Sequence, residues 1–268
     1  MSSPAVDRFL GGVRCEATRR VLGRTIATYC HFMDFVPRLR LSHVVECGPG
    51  TLSMVAMALS ALRSEALFAY IGLERDPVAA DKLREFLGEH ELGGEVKAAS
   101  MFSLAIDLAL PDKVAVFCFE HSLEDILLGM VGEVLGVSDI SFAAVVDILS
   151  AKMSELGIGD HVPLYLSSIF GAIETLSAPD TICIVHHFCS PRYKDASNLY
   201  LLDQIIAKTA RSMLCIRYRT LVCFRPQLEL AEEFWWVGYI GNVAPNFSFA
   251  SDTSRRLCQA AGPGESTS

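Results

Sequence analysis

Glu46 stands two residues before a Gly48-Pro49-Gly50 turn, and Ser53 stands three residues after it. Glycines where a strand gives way to a helix let a ligand approach the backbone, and the first N–H groups of the helix point at that ligand. An acid beside such a turn repels a pyrophosphate and suits a ligand with a cationic end. Further along, Glu74 leads into Arg75-Asp76-Pro77, Glu120 is followed by His121, and His186 by His187. A carboxylate offers two acceptor oxygens to a diol, and a glutamate with a histidine beside it can take a proton from a nucleophile. Adjacent histidines on a strand point to opposite faces, so His186 and His187 do not form a chelating pair by themselves, and no metal is expected.

These residues need elements to hold them. Val44 and Val45 read as the end of a buried strand, and residues 51–62 (TLSMVAMALSAL) as the helix after the turn. Residues 67–73 (LFAYIGL) form a second strand with Glu74 at its tip, and Asp76 is placed to cap a helix over residues 78–88. A short third strand spans residues 93–99, and Ser100 and Met101 follow it. Residues 112–119 (DKVAVFCF) give a fourth strand ending at Glu120 and His121, and residues 181–188 (TICIVHHF) a fifth ending at His187. Between them lie helical segments over residues 123–135, 141–156 and 163–176, with breaks at Gly136, at residues 157–160 and at Pro179. A helix over residues 198–211 and strands over residues 213–224 and 234–240 complete the series. Alternating strands and helices predict an α/β fold: a doubly wound, mostly parallel seven-stranded sheet, with N-terminal helices and a helical insertion between strands four and five. The expected boundaries are an N-terminal helical cap over residues 1–40, a Rossmann-like domain over 41–259 with the insertion at 123–178, and a disordered tail at 260–268.

The run Val45-Glu46-Cys47-Gly48-Pro49-Gly50, with Glu74 one βα unit later, resembles the first motifs of class I S-adenosylmethionine-dependent methyltransferases. The resemblance covers residues 41–240. It implies that Glu46, Gly48, Pro49 and Gly50 cradle S-adenosylmethionine and that Glu74, with Arg75 beside it, binds the ribose hydroxyls. It places the adenine at Ser100 and the backbone of Met101, where the family often has an acid; Asp107 lies several residues too late. It puts Glu120 beside the cofactor and makes Glu120, His121 and His187 candidate catalytic groups. The N-terminal helices and the insertion are the parts that shape a substrate pocket in such enzymes, which nominates Tyr29, His161 and Tyr165, with His31, Phe32 and Phe170 as further lining candidates. Ordinary packing on a helix explains each of these side chains equally well.

The 268 residues carry a formal net charge of −8 and are 51% hydrophobic, with a mean hydropathy of +0.35. Nucleic acid favours a basic surface, so it is not the expected substrate. No charge-free apolar run reaches the roughly 18 residues that a membrane span needs, and the N-terminus lacks the apolar stretch of a secretory signal. The nine cysteines show no Cys-x-x-Cys spacing, so they read as reduced core residues of a cytoplasmic protein. A buried sheet, an apolar chamber or a homodimer interface can each absorb the surplus apolar surface. The expected activity is methyl transfer to oxygen or nitrogen of a small organic acceptor, a specialised metabolite being one candidate. Two alternatives stand beside it. An NAD(P)-dependent oxidoreductase is opposed by Glu46 and by Ser53 in the place of the third fingerprint glycine. The other is a non-catalytic binding or scaffold protein of the same fold.

Overall fold

The computed structural model describes residues 3–33, 43–62, 69–99, 114–123, 158–189, 206, 208–210, 212, 220–224, 232–239 and 258–259. These group into two compact units. The first comprises Met1–Glu120 with Thr175–Thr181, and the second His121–Glu174 with Ile182–Ser268.

In the first unit, α1 (Pro4–Gly12) starts on a Ser3 cap, whose hydroxyl accepts the Val6 N–H, with Pro4 in the first helical turn. After a three-residue break comes α2 (Glu16–Met33). The sequence is helical over most of this span, as expected, and Ile26, Tyr29, Cys30 and Met33 form its buried stripe at helical spacing. Then follow β1 (His43–Cys47), α3 (Met54–Ala61), β2 (Ala69–Glu74), α4 (Pro77–Glu89), β3 (Glu95–Ala98) and β4 (Val114–Glu120). The Asp76 carboxylate accepts the Val78 N–H at 2.8 Å, so α4 begins where the sequence places its cap.

The strand order is β3-β2-β1-β4, and every neighbouring pair is parallel. Parallel strands are covered on both faces, and Val44, Val45, Glu46 and Cys47 are accordingly all buried. The helix after the turn, α3, hides Met54, Val55, Ala56, Met57, Ala58 and Ala61, which leaves it almost without a solvent face. Phe9 of α1 meets Phe86 of α4 edge-on with ring centroids 5.7 Å apart, joining the N-terminal helix to the rest of the unit.

The second unit holds most of α5 (Ile158–Leu176) and of β5 (Ser177–Cys189), together with β6 (Thr220–Phe224), β7 (Glu232–Tyr239) and β8 (Cys258–Gln259). β7 runs antiparallel to both β5 and β6, and β8 pairs antiparallel with β6. The two-residue β8 lies beyond the seven strands expected from the sequence.

Two expected breaks are corrected. α5 begins at Ile158 and runs through Gly159, Asp160 and Pro163, where the sequence predicts a gap and a later start. An interior proline costs a helix about 3 kcal/mol. Burying Val162, Leu166, Ile169, Phe170 and Ile173 on one face offsets that, since each such side chain is worth about 1.5–3 kcal/mol. Pro179 does not separate elements but lies near the start of β5, a position where a strand tolerates a missing N–H. The expected helices over 123–135 and 141–156 and the tail at 260–268 lie outside the described residues, apart from Leu123. No helix among the described residues is long and apolar enough to cross a membrane.

Candidate functional site

β1 delivers Glu46 to the carboxyl end of the parallel sheet, and the chain then turns through Gly48 and Gly50 at φ +67° and +69°. An L-residue pays about 1–2 kcal/mol in that region, so the backbone itself favours glycine at both positions. The Gly48 N–H donates to the Leu73 carbonyl at 2.8 Å, which pins the turn to the end of β2. A Cβ built on Gly50 meets nothing within 4 Å, so there is open space above the turn.

Glu74 closes the other side. Its Oε2 accepts the Gly50 N–H at 2.8 Å and its Oε1 accepts the Asp76 N–H at 2.9 Å. A carboxylate has about four lone-pair sites, so each oxygen retains acceptor capacity for a ligand. Arg75, next along, is exposed.

Glu46 itself is sealed in the core. Its Oε2 receives two hydroxyls, Ser53 at 2.5 Å and Tyr70 at 2.7 Å, and its Oε1 has no hydrogen-bond partner among the described residues. Burial pushes this carboxyl up to about 8; the Ser53 and Tyr70 bonds oppose the rise, and the charges of Glu120 and Glu74 add to it. Near neutral pH the group is therefore mostly a neutral acid rather than the anion that sequence reasoning assumed. Ser53, in the third-glycine position, is the cap of α3: its hydroxyl accepts the Ala56 N–H at 2.8 Å while donating to Glu46.

Glu120 ends β4, one strand from Glu46, and its Oε2 accepts the hydroxyl of Tyr29 at 2.6 Å. Tyr29 is fully buried on α2, and burial together with the Glu120 charge holds its phenol protonated. Tyr29 is thus a partner of Glu120 in this structure. The unit brings Glu46, Glu74 and Glu120 to the carboxyl ends of three neighbouring strands, β1, β2 and β4.

In the second unit, His121 adopts φ +53°, its N–H donates to the His186 carbonyl at 3.0 Å, and the two imidazoles meet with centroids 4.5 Å apart. The histidine that joins His121 is therefore His186. His187 is fully buried and, as the next residue on β5, belongs to the opposite face. His161 and Tyr165 lie on α5. Ser100, Met101 and Asp107 fall outside the described residues.

Sequence reasoning missed Tyr70 and Gly72. Both lie on β2 two residues apart, on one face, and a Cβ on Gly72 would lie 2.9 Å from the Tyr70 hydroxyl. Gly72 is also the register partner of Glu46. In the sequence the two stand only as a tyrosine two residues before a glycine; the strand pairing that brings them beside Glu46 is not a local signal.

No family model and no curated protein matches the chain. Among solved structures, the N-methyltransferase NodS from Bradyrhizobium japonicum WM9 is similar in fold: 7% identical, covering 86% of this chain and 100% of that one, with a TM-score of 0.50. A precorrin-6y C5,15-methyltransferase from Geobacter metallireducens GS-15 is 12% identical over 82% of this chain and 87% of its own, with a TM-score of 0.46. A protein studied for the conversion of a disulfide bond into a thioacetal group during echinomycin biosynthesis is 15% identical, with 79% of each chain covered and a TM-score of 0.45. The chain shares with NodS an α/β fold built on a parallel sheet.

Proposed function

We propose that the chain is an S-adenosylmethionine-dependent methyltransferase whose acceptor is a small organic molecule. The observation that carries this reading is the Glu74 carboxylate held against the Gly50 N–H at 2.8 Å, beside a left-handed glycine with open space above it. That arrangement fits an adenosyl ligand: Glu74 has acceptor capacity left for two ribose hydroxyls, and Gly50 leaves room for the ligand to lie against the backbone. Ser100 and Met101 are the proposed adenine side.

The bound cofactor would supply an activated methyl group. The protein's own task is then alignment, which in favourable cases contributes roughly 7–11 kcal/mol through effective molarity. Glu120, oriented by Tyr29, is the proposed group at the acceptor side of the first unit. His121 and His187 are proposed as alternative bases for an acceptor that must lose a proton, and His161 and Tyr165 as acceptor contacts. A small acceptor is supported by the net charge of −8, which disfavours nucleic acid. It is also supported by Glu120-His121-Ser122-Leu123 after β4, where an amide- or base-methylating enzyme would carry an Asn-Pro-Pro-Tyr-type motif.

Titration calorimetry with S-adenosylmethionine, S-adenosylhomocysteine and NAD tests the reading. Heat with the two adenosyl ligands and none with NAD is the expected result. Binding of NAD alone would transfer the proposal to an oxidoreductase, and no binding of any of the three would sink both enzyme readings.

A further inference from the structure

The Glu46 carboxyl is connected to β2 through Tyr70 and to the helix after the glycine turn through Ser53. Tyr70 lies along its own strand: its hydroxyl passes over Gly72, its ring packs where a Cβ on Gly94 would come within 2.6 Å, and its tip reaches Glu46 on β1. Two glycines thus leave space for one ring to deliver one hydroxyl. The same Glu46 oxygen takes the Ser53 hydroxyl, and that hydroxyl accepts the Ala56 N–H of the first turn of α3. A continuous chain of hydrogen bonds therefore runs from β2 through β1 to the helix that starts at the turn. Each link is buried, where an unmade bond costs most.

We propose that Tyr70 is a positioning residue, which through Glu46 and Ser53 fixes the first turn of α3 against the Gly48–Gly50 turn and so sets the ligand geometry there. Its value for an adenosyl ligand rests on the methyltransferase reading; its value for the helix start does not. Other groups interacting electrostatically within this cluster are Glu74 on β2, Cys118 and Glu120 on β4, and Tyr29 on α2. Among the described residues no cation joins these groups, and burial pushes the Glu46 carboxyl up.

The test is Tyr70→Phe, which keeps the ring over Gly72 and Gly94 and removes only the hydroxyl. In the ligand-free protein, hydrogen exchange at the Ala56 amide is expected to accelerate about tenfold, the worth of roughly one buried hydrogen bond. A carbon-13 titration of the Glu46 carboxyl is expected to show its midpoint moving to higher pH, because the Tyr70 bond favours the ionised form; loss of packing alone would not predict that direction. The dissociation constant for S-adenosylhomocysteine is expected to rise by about tenfold, by the same bond. Glu46→Gln keeps the acceptor oxygen for both hydroxyls, so exchange at the Ala56 amide is expected to stay within about twofold of the native rate. Glu46→Leu removes the acceptor and is expected to accelerate it about as Tyr70→Phe does, which keeps the proposal testable should Tyr70→Phe fold poorly. Unchanged Ala56 exchange in Tyr70→Phe overturns the proposal, as does unchanged Ala56 exchange in Glu46→Leu. If the native protein binds no S-adenosylhomocysteine, the methyltransferase reading fails and the exchange result alone decides the role of Tyr70.

Discussion

Glu74 and Gly50, at the ends of different segments, are joined by a 2.8 Å hydrogen bond from the glycine N–H to the glutamate carboxylate. The strand tip that would bind a ribose thus also holds the turn that would lie beneath it. A ligand contacting Glu74 meets a carboxylate already fixed by two backbone N–H groups, so little ordering cost is left to binding.

Glu74→Ala removes both backbone bonds and the diol acceptor. Affinity for S-adenosylhomocysteine is expected to fall by at least about a hundredfold, from two charge-assisted bonds at about 1.5–3 kcal/mol each. Glu74→Gln, which retains one acceptor oxygen, is expected to fall in between. Calorimetry on both variants checks the ranking, and equal affinity in all three proteins would remove Glu74 from the ligand site.

Gly50→Ala separates backbone strain from ligand space. The added Cβ meets no atom of the described residues within 4 Å, so the stability cost is that of the left-handed conformation, about 1–2 kcal/mol. Ligand affinity is expected to fall further than stability, because the methyl occupies the space proposed for the cofactor. Chemical denaturation and titration of the same preparation give the two numbers.

Glu46 makes stability depend on pH in a defined direction. Its folded value of about 8 lies above the ordinary 4.5, so the folded protein holds a proton that the unfolded chain releases. The linked stability is fully present below about 4.5 and is lost as the pH rises towards 8, with a steepest slope of about 1.4 kcal/mol per pH unit. Urea unfolding at pH 5.5, 7 and 8.5 is expected to show that decline, and Glu46→Gln to flatten this contribution.

Tyr29→Phe leaves the buried ring and removes the donor to Glu120. Turnover is expected to drop about tenfold, the effect of one hydrogen bond on the placement of Glu120, while cofactor affinity stays near native. Steady-state kinetics with each substrate varied in turn distinguishes this from a general loss of fold.

What the sequence made legible was local. The glycine turn, the Asp76 cap and Glu74 at its strand tip each depend on residues a few positions apart, and each appears where expected. The Tyr70–Glu46 bond depends on the pairing of β1 with β2, which places Glu46 opposite Gly72, and no short window of sequence contains that register. His186 rather than His187 meets His121 for the same kind of reason: alternation fixes that the two histidines differ, not which face the neighbouring backbone approaches. α5 was misread because Gly159 and Pro163 are local breakers, whereas the buried stripe that overrides them is visible only once the helix is packed.

The central position of β1 also bears on how the chain folds. β1 pairs with β2 just beyond α3, but its other neighbour, β4, comes only after α4, β3 and a further connection. Closing that long loop is entropically slow, so β1, α3 and β2 are expected to associate before β4 arrives. Before β4 docks, one edge of β1 is open and Glu46 can exchange its proton with water; docking β4 beside it seals the carboxyl. Alkaline conditions would then retard the late docking step more than the early association, making the order of assembly visible as a folding rate that slows with rising pH.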